Sequence, residues 1–411
     1  MSENKADIEA DISAVMDRQE ALALMEPLLI AEGSRHRGEL TDLTVEVAAR
    51  SAGFRRSLPD GVRTALADLV RAMNCYYSNL IEGHDTHPID IERALKNDYS
   101  NDPRKRDLQL EAKAHITVQQ WIDAGGLTGR ALSQAGIKEV HYRFCELLPD
   151  DLLWIENPDT GERLKVVPGQ LRNRDVRVGQ HVPISPGAVP RFLAYCEQTY
   201  GRLGKTDAIL SAAAAHHRLL WIHPFLDGNG RVARLVSHAM LLETLDTGGI
   251  WSVARGLARN VAAYKNHLAN CDLPRRNDLD GRGNLSEEAL GAFTRFFLEV
   301  CIDQVKFMEA LVQPDRLRTR ILMWTEEEIR LGHLAPKSAS ILEAVLYRGE
   351  LPRGDAANIV GTGDRQARRT VSALVDRGVL TSESARASLR LAFPAALASR
   401  WMPGLFPDRS E

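Results

Sequence analysis

Twelve consecutive residues, His223-Pro224-Phe225-Leu226-Asp227-Gly228-Asn229-Gly230-Arg231-Val232-Ala233-Arg234, combine the groups needed to move a phosphate. His223 is the one side chain in the stretch that titrates near neutrality, which suits a general base. Asp227 is a hard oxygen ligand placed to hold Mg²⁺ between phosphates. Gly228, Asn229 and Gly230 stand at a helix start, where N–H groups without an internal partner and the helix dipole favour an oxyanion. Arg231 and Arg234 are three apart and share a helix face, so they can reach separate phosphates. Each residue alone has a bland reading: a buried histidine, a tight turn, two solvated arginines. Together they supply base, metal ligand, anion cradle and charge clamp. That set suits attack of a hydroxyl on a nucleotide phosphate.

Two apolar runs must position this stretch, Ile209 to Ile222 leading in and Val232 to Leu242 leading out. Both have the length and period of core helices. Upstream, Leu66, Leu69, Val70, Met73, Tyr76, Tyr77, Leu80 and Ile81 recur at three- and four-residue steps, predicting an amphipathic helix ended by Gly83. Ser78 and Glu82 lie four apart on it, so the hydroxyl can aim the carboxylate. Residues 85–130 read as further helices, with His115 a satisfied buried histidine, and residues 290–311 as another. Strand character is confined to residues 164–179, where Val176, Arg177 and Val178 alternate between glycine punctuation.

Composition sets the frame. At 411 residues, 44% hydrophobic and 26% charged, the chain reads as a soluble protein of two or three domains. A net charge of −3 gives no reason for wholesale nucleic-acid or membrane binding. Five scattered cysteines without a C-x-x-C pair point to reduced thiols and away from a zinc site. The polar N-terminus lacks a signal-peptide pattern and no run reaches the length of a membrane span, so the expectation is cytoplasmic, with no membrane partner. Residues 7–33 carry helical spacing interrupted by Pro27, predicting an N-terminal arm. Two decoys fail: Thr199 stands where a P-loop before Gly204-Lys205-Thr206 needs glycine, and Arg282 and Ala289 occupy ligand positions of the calcium loop suggested by Asp278 and Asp280.

Beyond Pro336 the pattern changes. Helices over 339–347, 353–360 and 365–377, then a hairpin pairing 379–381 with 388–392, predict a winged helix-turn-helix. Eleven Lys/Arg against eight Asp/Glu give residues 331–411 a charge of +3, leaving −6 for the rest. Arg365, Arg368 and Arg369 face outward, toward DNA or toward a protein; the sequence does not choose between them.

The catalytic stretch resembles the signature of the Fic family, His-Pro-Phe-x-Asp/Glu-Gly-Asn-Gly-Arg-x-x-Arg, at every defined position. Ser78-Asn-Leu-Ile-Glu82-Gly83 resembles that family's inhibitory motif, and residues 164–179, with Gly169 and Arg172, resemble its flap. The resemblance implies a mainly α fold with a short β-hairpin flap. It implies a protein adenylyltransferase that uses ATP and Mg²⁺ to place AMP on a hydroxyl side chain. His223, Asn229 and Arg231 would be catalytic and Asp227 would bind the metal. Gly228, Asn229, Gly230, Arg231 and Arg234 would bind nucleotide, with Tyr264 near adenine. There, Lys265 departs from the adjacent tyrosines of many relatives. Ser78, Glu82 and Gly83 would be inhibitory. A target protein at the flap and a homodimer are family expectations. The expected domains are an arm (1–60), a catalytic domain with its inhibitory helix (61–315), a helical linker (316–335) and the winged helix (336–411). Two rivals stand beside transfer: a phosphodiesterase that removes AMP through Glu82, and a DNA-binding regulator that only senses nucleotide.

Overall fold

The computed structural model describes residues 15–156 and 161–407. Its elements run in the order α1 (Arg37–Arg56), α2 (Asp60–Ile81), α3 (Pro88–Leu95), α4 (Pro103–Asp123), α5 (Gln134–Glu146), β1 (Trp154–Glu156), β2 (Arg163–Lys165), α6 (Val189–Tyr200), α7 (Lys205–Ile222) and α8 (Asn229–Leu245). They continue with α9 (Val253–Arg259), α10 (Val261–Cys271), α11 (Glu287–Leu311), α12 (Pro314–Arg330), α13 (Ser338–Arg348), β3 (Glu350–Leu351), α14 (Ala356–Val360), α15 (Asp364–Asp376), β4 (Leu380–Thr381), β5 (Leu389–Leu391) and α16 (Ala398–Trp401). The class is mainly α with two small antiparallel sheets. Helix starts follow local chemistry: Asp102 and Ser133 accept backbone N–H groups at the heads of α4 and α5, and Pro88 and Pro103 open α3 and α4. The chain divides into two compact units, with the division falling inside α8, α10 and α11.

The first unit comprises residues 1–38, 127–237 and 265–294. Helix α6 packs on both α5 and α7, and Phe144, Phe192, Phe225 and Phe293 fill its interior. The arm from residue 15 to 36 departs from the helical expectation, carrying one 3-10 turn, Leu22–Met25; residues 7–14 lie outside the described residues. Side-chain anchoring replaces helix there. Arg191 grips the Asp17 carboxylate at 2.9 Å, and the buried Arg218 donates to the Pro27 carbonyl at 2.8 Å. Arg218 also donates to His217 Nδ1 at 2.6 Å, so His217 Nε2–H points to Asp272 at 3.0 Å. Every group in that chain has a partner, which is what makes a fully buried guanidinium tolerable.

In the second unit α2 is the organising helix, packed by α3, α4, α9 and strand β5. Its predicted apolar stripe is buried except for half-buried Leu80, Glu82 forms its C-cap and Gly83 follows at φ 89°. His115 is fully buried on α4. The C-terminal region holds α13, α14 and α15 against a sheet ordered β3-β5-β4, with the β4–β5 register Leu380↔Leu391. Strand β3 went unforeseen; two residues show no period. Its surroundings are tied to α2: the Tyr77 hydroxyl donates to the Leu405 carbonyl at 3.0 Å, and Tyr76 meets Phe406 edge-on. A Cβ on Gly61 would land 1.9 Å from the Gly349 carbonyl oxygen, so backbone meets backbone there.

Candidate active site

Helix α7 ends abruptly. His223 takes left-handed angles, φ 51° and ψ 64°, while its N–H still bonds the Leu219 carbonyl at 3.1 Å. Such a conformation costs a branched or bulky residue about 1 kcal/mol or more, so something must hold it. Arg172 does. Its own N–H donates to Pro224 O at 2.9 Å, and its guanidinium donates to the carbonyls of His223 at 2.8 Å, Arg174 at 3.0 Å and Ile222 at 3.4 Å, and to that of Ile184. Burial pulls the Arg172 pKa down to about 10, partly opposed by Asp175 and Glu20, so the group remains a cation.

Next, the loop is closed on itself. The Asn229 amide accepts from Phe225 N–H at 3.0 Å and donates to Phe225 O at 2.9 Å. Gly228 sits at φ 78°, a conformation that favours glycine, and its carbonyl receives the Val232 N–H that starts α8. The first N–H groups of a helix have no acceptor within it, and here they include Asn229 and Gly230. Asn229 thus closes the loop through its side chain.

Both clamp arginines are buried, Arg231 at 8% and Arg234 at 3% exposure. The Arg231 guanidinium lies 5.0 Å from the centre of the Phe144 ring and 3.7 Å from the Asp227 carboxylate, whose side chain is 51% exposed. His216, hydrogen-bonded to Ser237 at 2.8 Å, is pushed down to about 3 by burial and then by the Arg234 charge. It therefore remains neutral beside that arginine. Cys145 is no nucleophile, because burial and the Asp227 carboxylate push its thiol up to about 12.

Sequence reasoning missed His141. From α5 it stacks on Phe225 at 3.9 Å, accepts the Gly169 N–H at Nδ1 (2.9 Å), and turns its Nε2–H toward the Asp227 carbonyl and the Cys145 sulfur. Burial lowers it to about 4, so it is neutral and its tautomer is set. It joins flap to loop. Nothing but a turn-spacing on α5 could have signalled it.

The flap needs correction. The strands here are β1 and β2, paired Ile155↔Leu164, so within 164–179 strand is confined to Leu164 and Lys165 and does not include the alternating Val176–Val178 run. Residues 166–183 are irregular with one bridge, Val178↔His181, because Gly169 and Gly179 both take positive φ and Arg172 turns inward to the carbonyls. Ser78 is fully buried and Glu82 exposed at the end of α2; Tyr264 is buried on α10. These three belong to the second unit, whereas residues 223–234 belong to the first. Arg365, Arg368 and Arg369 are exposed on α15.

Asp227 suits Mg²⁺ of a particular kind. Among the described residues no group of three or more His, Cys, Asp or Glu could cage a metal. A single half-exposed carboxylate fits an ion that takes most of its ligands from phosphate and water.

Residues 131–241 match the model of the Fic/DOC family. The protein adenylyltransferase Fic of Drosophila willistoni is 34% identical over 137 residues, covering 32% of this chain and 27% of that protein. Its counterpart in Nematostella vectensis is 27% identical over 172 residues, covering 41% and 36%. The chain thus spans about a third or less of the length of the curated relatives it matches most strongly. Two solved structures share its fold. A Fic family protein from Desulfovibrio desulfuricans has a TM-score of 0.52 at 16% identity, covering 89% of this chain and 98% of that one. A fragment of Fic-1 from C. elegans has a TM-score of 0.51 at 17% identity, covering 68% and 74%. Among the described residues, no helix is long and apolar enough to cross a membrane. The signature stretch, complete and folded around one helix start, lies within the residues that match the Fic/DOC family model.

Proposed function

We propose that this protein is an adenylyltransferase that moves AMP from ATP to a hydroxyl side chain of a target protein. One observation carries the reading: the buried pair Arg231 and Arg234 on the first turns of α8, following directly on a braced His223. Two guanidinium groups held on one face of the same helix present their charge at fixed geometry, and a triphosphate is an anion of the right size and charge to meet both. The relatives named as adenylyltransferases support the same chemistry.

In this scheme His223 takes the proton of the incoming hydroxyl. A bond forms between that oxygen and the α-phosphorus, the bond to the β-phosphate oxygen breaks, and pyrophosphate leaves. N–H groups at the start of α8 receive the developing charge, and Arg234 holds the γ-phosphate. Asp227 would hold Mg²⁺, which neutralises phosphate charge when bound. A target segment lying along residues 164–179 would bring its hydroxyl beside His223. Glu82 restrains the reaction, as the likeness of residues 78–83 to the inhibitory motif implies.

Incubation with α-labelled and γ-labelled ATP tests this. Retention of α-label on protein, increased by Glu82→Gly, is the expected result. Retained γ-label would mean phosphorylation. Neither label, with nucleotide still bound, would leave a sensor. Loss of label from pre-modified protein through Glu82 would favour the phosphodiesterase.

A further inference from the structure

We propose that α15 and the β4–β5 hairpin form a binding surface for duplex DNA. The region runs α13, β3, α14, α15, β4, β5, with the sheet ordered β3-β5-β4. Helices α14 and α15 pack on one another across a connection of Gly361, Thr362 and Gly363, with Gly361 at φ 63°. A three-residue glycine turn between two short helices is the arrangement that presents the second helix to a groove. Ala367, Thr370, Val371 and Leu374 are buried and hold α15 in place, while Arg365, Arg368, Arg369 and Ser372 are exposed on its other side.

Charge decides what that face meets. Several acids nearby are paired inside the second unit, Glu343 with Arg318, Asp355 with Arg348, and Glu350 and Glu383 with Arg390, while Asp364 and Asp376 stand exposed at the two ends of α15. No ion pair is made by Arg365, Arg368, Arg369 or hairpin Arg386 among the described residues, so four cations stand against the two acids of α15. A protein partner would want an apolar anchor at the centre of its footprint. Between residues 349 and 401 no large apolar side chain stands exposed among the described residues. Duplex RNA is disfavoured by shape, since its major groove is too narrow for a helix, whereas that of B-form DNA admits one. Arginines at this spacing reach phosphates on the groove walls and guanine edges on its floor.

The full-length protein titrated onto fluorescent mixed-sequence duplex DNA, across a salt series, tests the surface by anisotropy. Binding that weakens steeply with salt is expected. Each phosphate contact contributes about 0.9 to the slope of log K against log salt, so Arg365→Ala with Arg368→Ala and Arg369→Ala should reduce it by roughly 2 to 3. Arg386→Ala should remove about 1 more. The triple lysine variant keeps the charge and should retain non-specific binding. Labelling from α-labelled ATP should stay the same in all of them, which separates this surface from the transfer chemistry. No salt-dependent binding, a triple alanine variant equal to the parent, or tighter binding to duplex RNA than to DNA would overturn the proposal. So would capture of a protein partner that the same arginines control while DNA binding does not respond to them.

Discussion

Helices α8 and α15 each present arginines three apart, Arg231 with Arg234 and Arg365 with Arg368, and the two pairs have opposite fates. On α8 both guanidinium groups are buried against Phe144 and beside His216. On α15 they stand in water. The spacing is the same; the flanking residues differ. On α8 residues 231–240 are all buried, so the helix has no solvent face there to which the arginines could turn. On α15 the apolar residues form one stripe, and the arginines take the other face. A buried cation selects its anion by fixed geometry. An exposed one attracts any polyanion, with a strength that salt controls.

The largest expected effect is at the base. His223→Ala should lower AMP transfer by about 10³-fold with nucleotide binding retained, since proton abstraction is worth 10²–10⁴; unchanged transfer would remove His223 from the chemistry. Arg234→Ala should come next, raising KM for ATP about 100-fold, as befits loss of a charge-assisted bond of 2–3 kcal/mol. Arg172→Lys keeps the charge but loses the fork that reaches several carbonyls. It should reduce stability by about 2 kcal/mol, with transfer falling because His223 is no longer braced. Thermal unfolding and initial rates together check it. A variant with normal rates and a normal Tm would show that the left-handed turn holds itself.

Acid offers a smaller, graded effect. Burial holds His141, His216 and His217 down to about 4, 3 and 4. An unfolded chain takes up those protons near pH 6.5, about the ordinary histidine value, while the folded chain refuses them until far lower. Their contribution to stability is therefore complete above pH 6.5 and is lost as the pH falls toward 4. The Tm should drop between pH 7 and pH 5, before most carboxylates titrate. A flat profile would mean that these imidazoles are solvated. The smallest effect closes the comparison: Arg368→Ala should leave AMP transfer unchanged, and a loss there would join what the two helices divide.

The catalytic loop was legible in the sequence because its residues are contiguous and each has an unusual job. So was α2, whose buried stripe follows the helical period over five turns. What escaped depended on contacts distant along the chain. His141 on α5 looks like any histidine on an amphipathic helix until Gly169 and Phe225 are brought to it. Val176 to Val178 alternate like a strand, but the inward pull of Arg172 and the turns at Gly169 and Gly179 prevent one. The helical spacing in the arm loses to a series of side-chain anchors, Asp17, Glu20 and the Pro27 carbonyl, that local propensity does not register.

Near the start of α2, Gly61 presses its backbone onto Gly349, and farther along the helix Tyr77 grips the Leu405 carbonyl. Two segments nearly three hundred residues apart in sequence therefore melt and re-form as one cooperative block. Amide deuteration should spread through residues 60–81 and 338–405 at a common rate, and a graft of the C-terminal helices onto another scaffold would leave half of its seam behind.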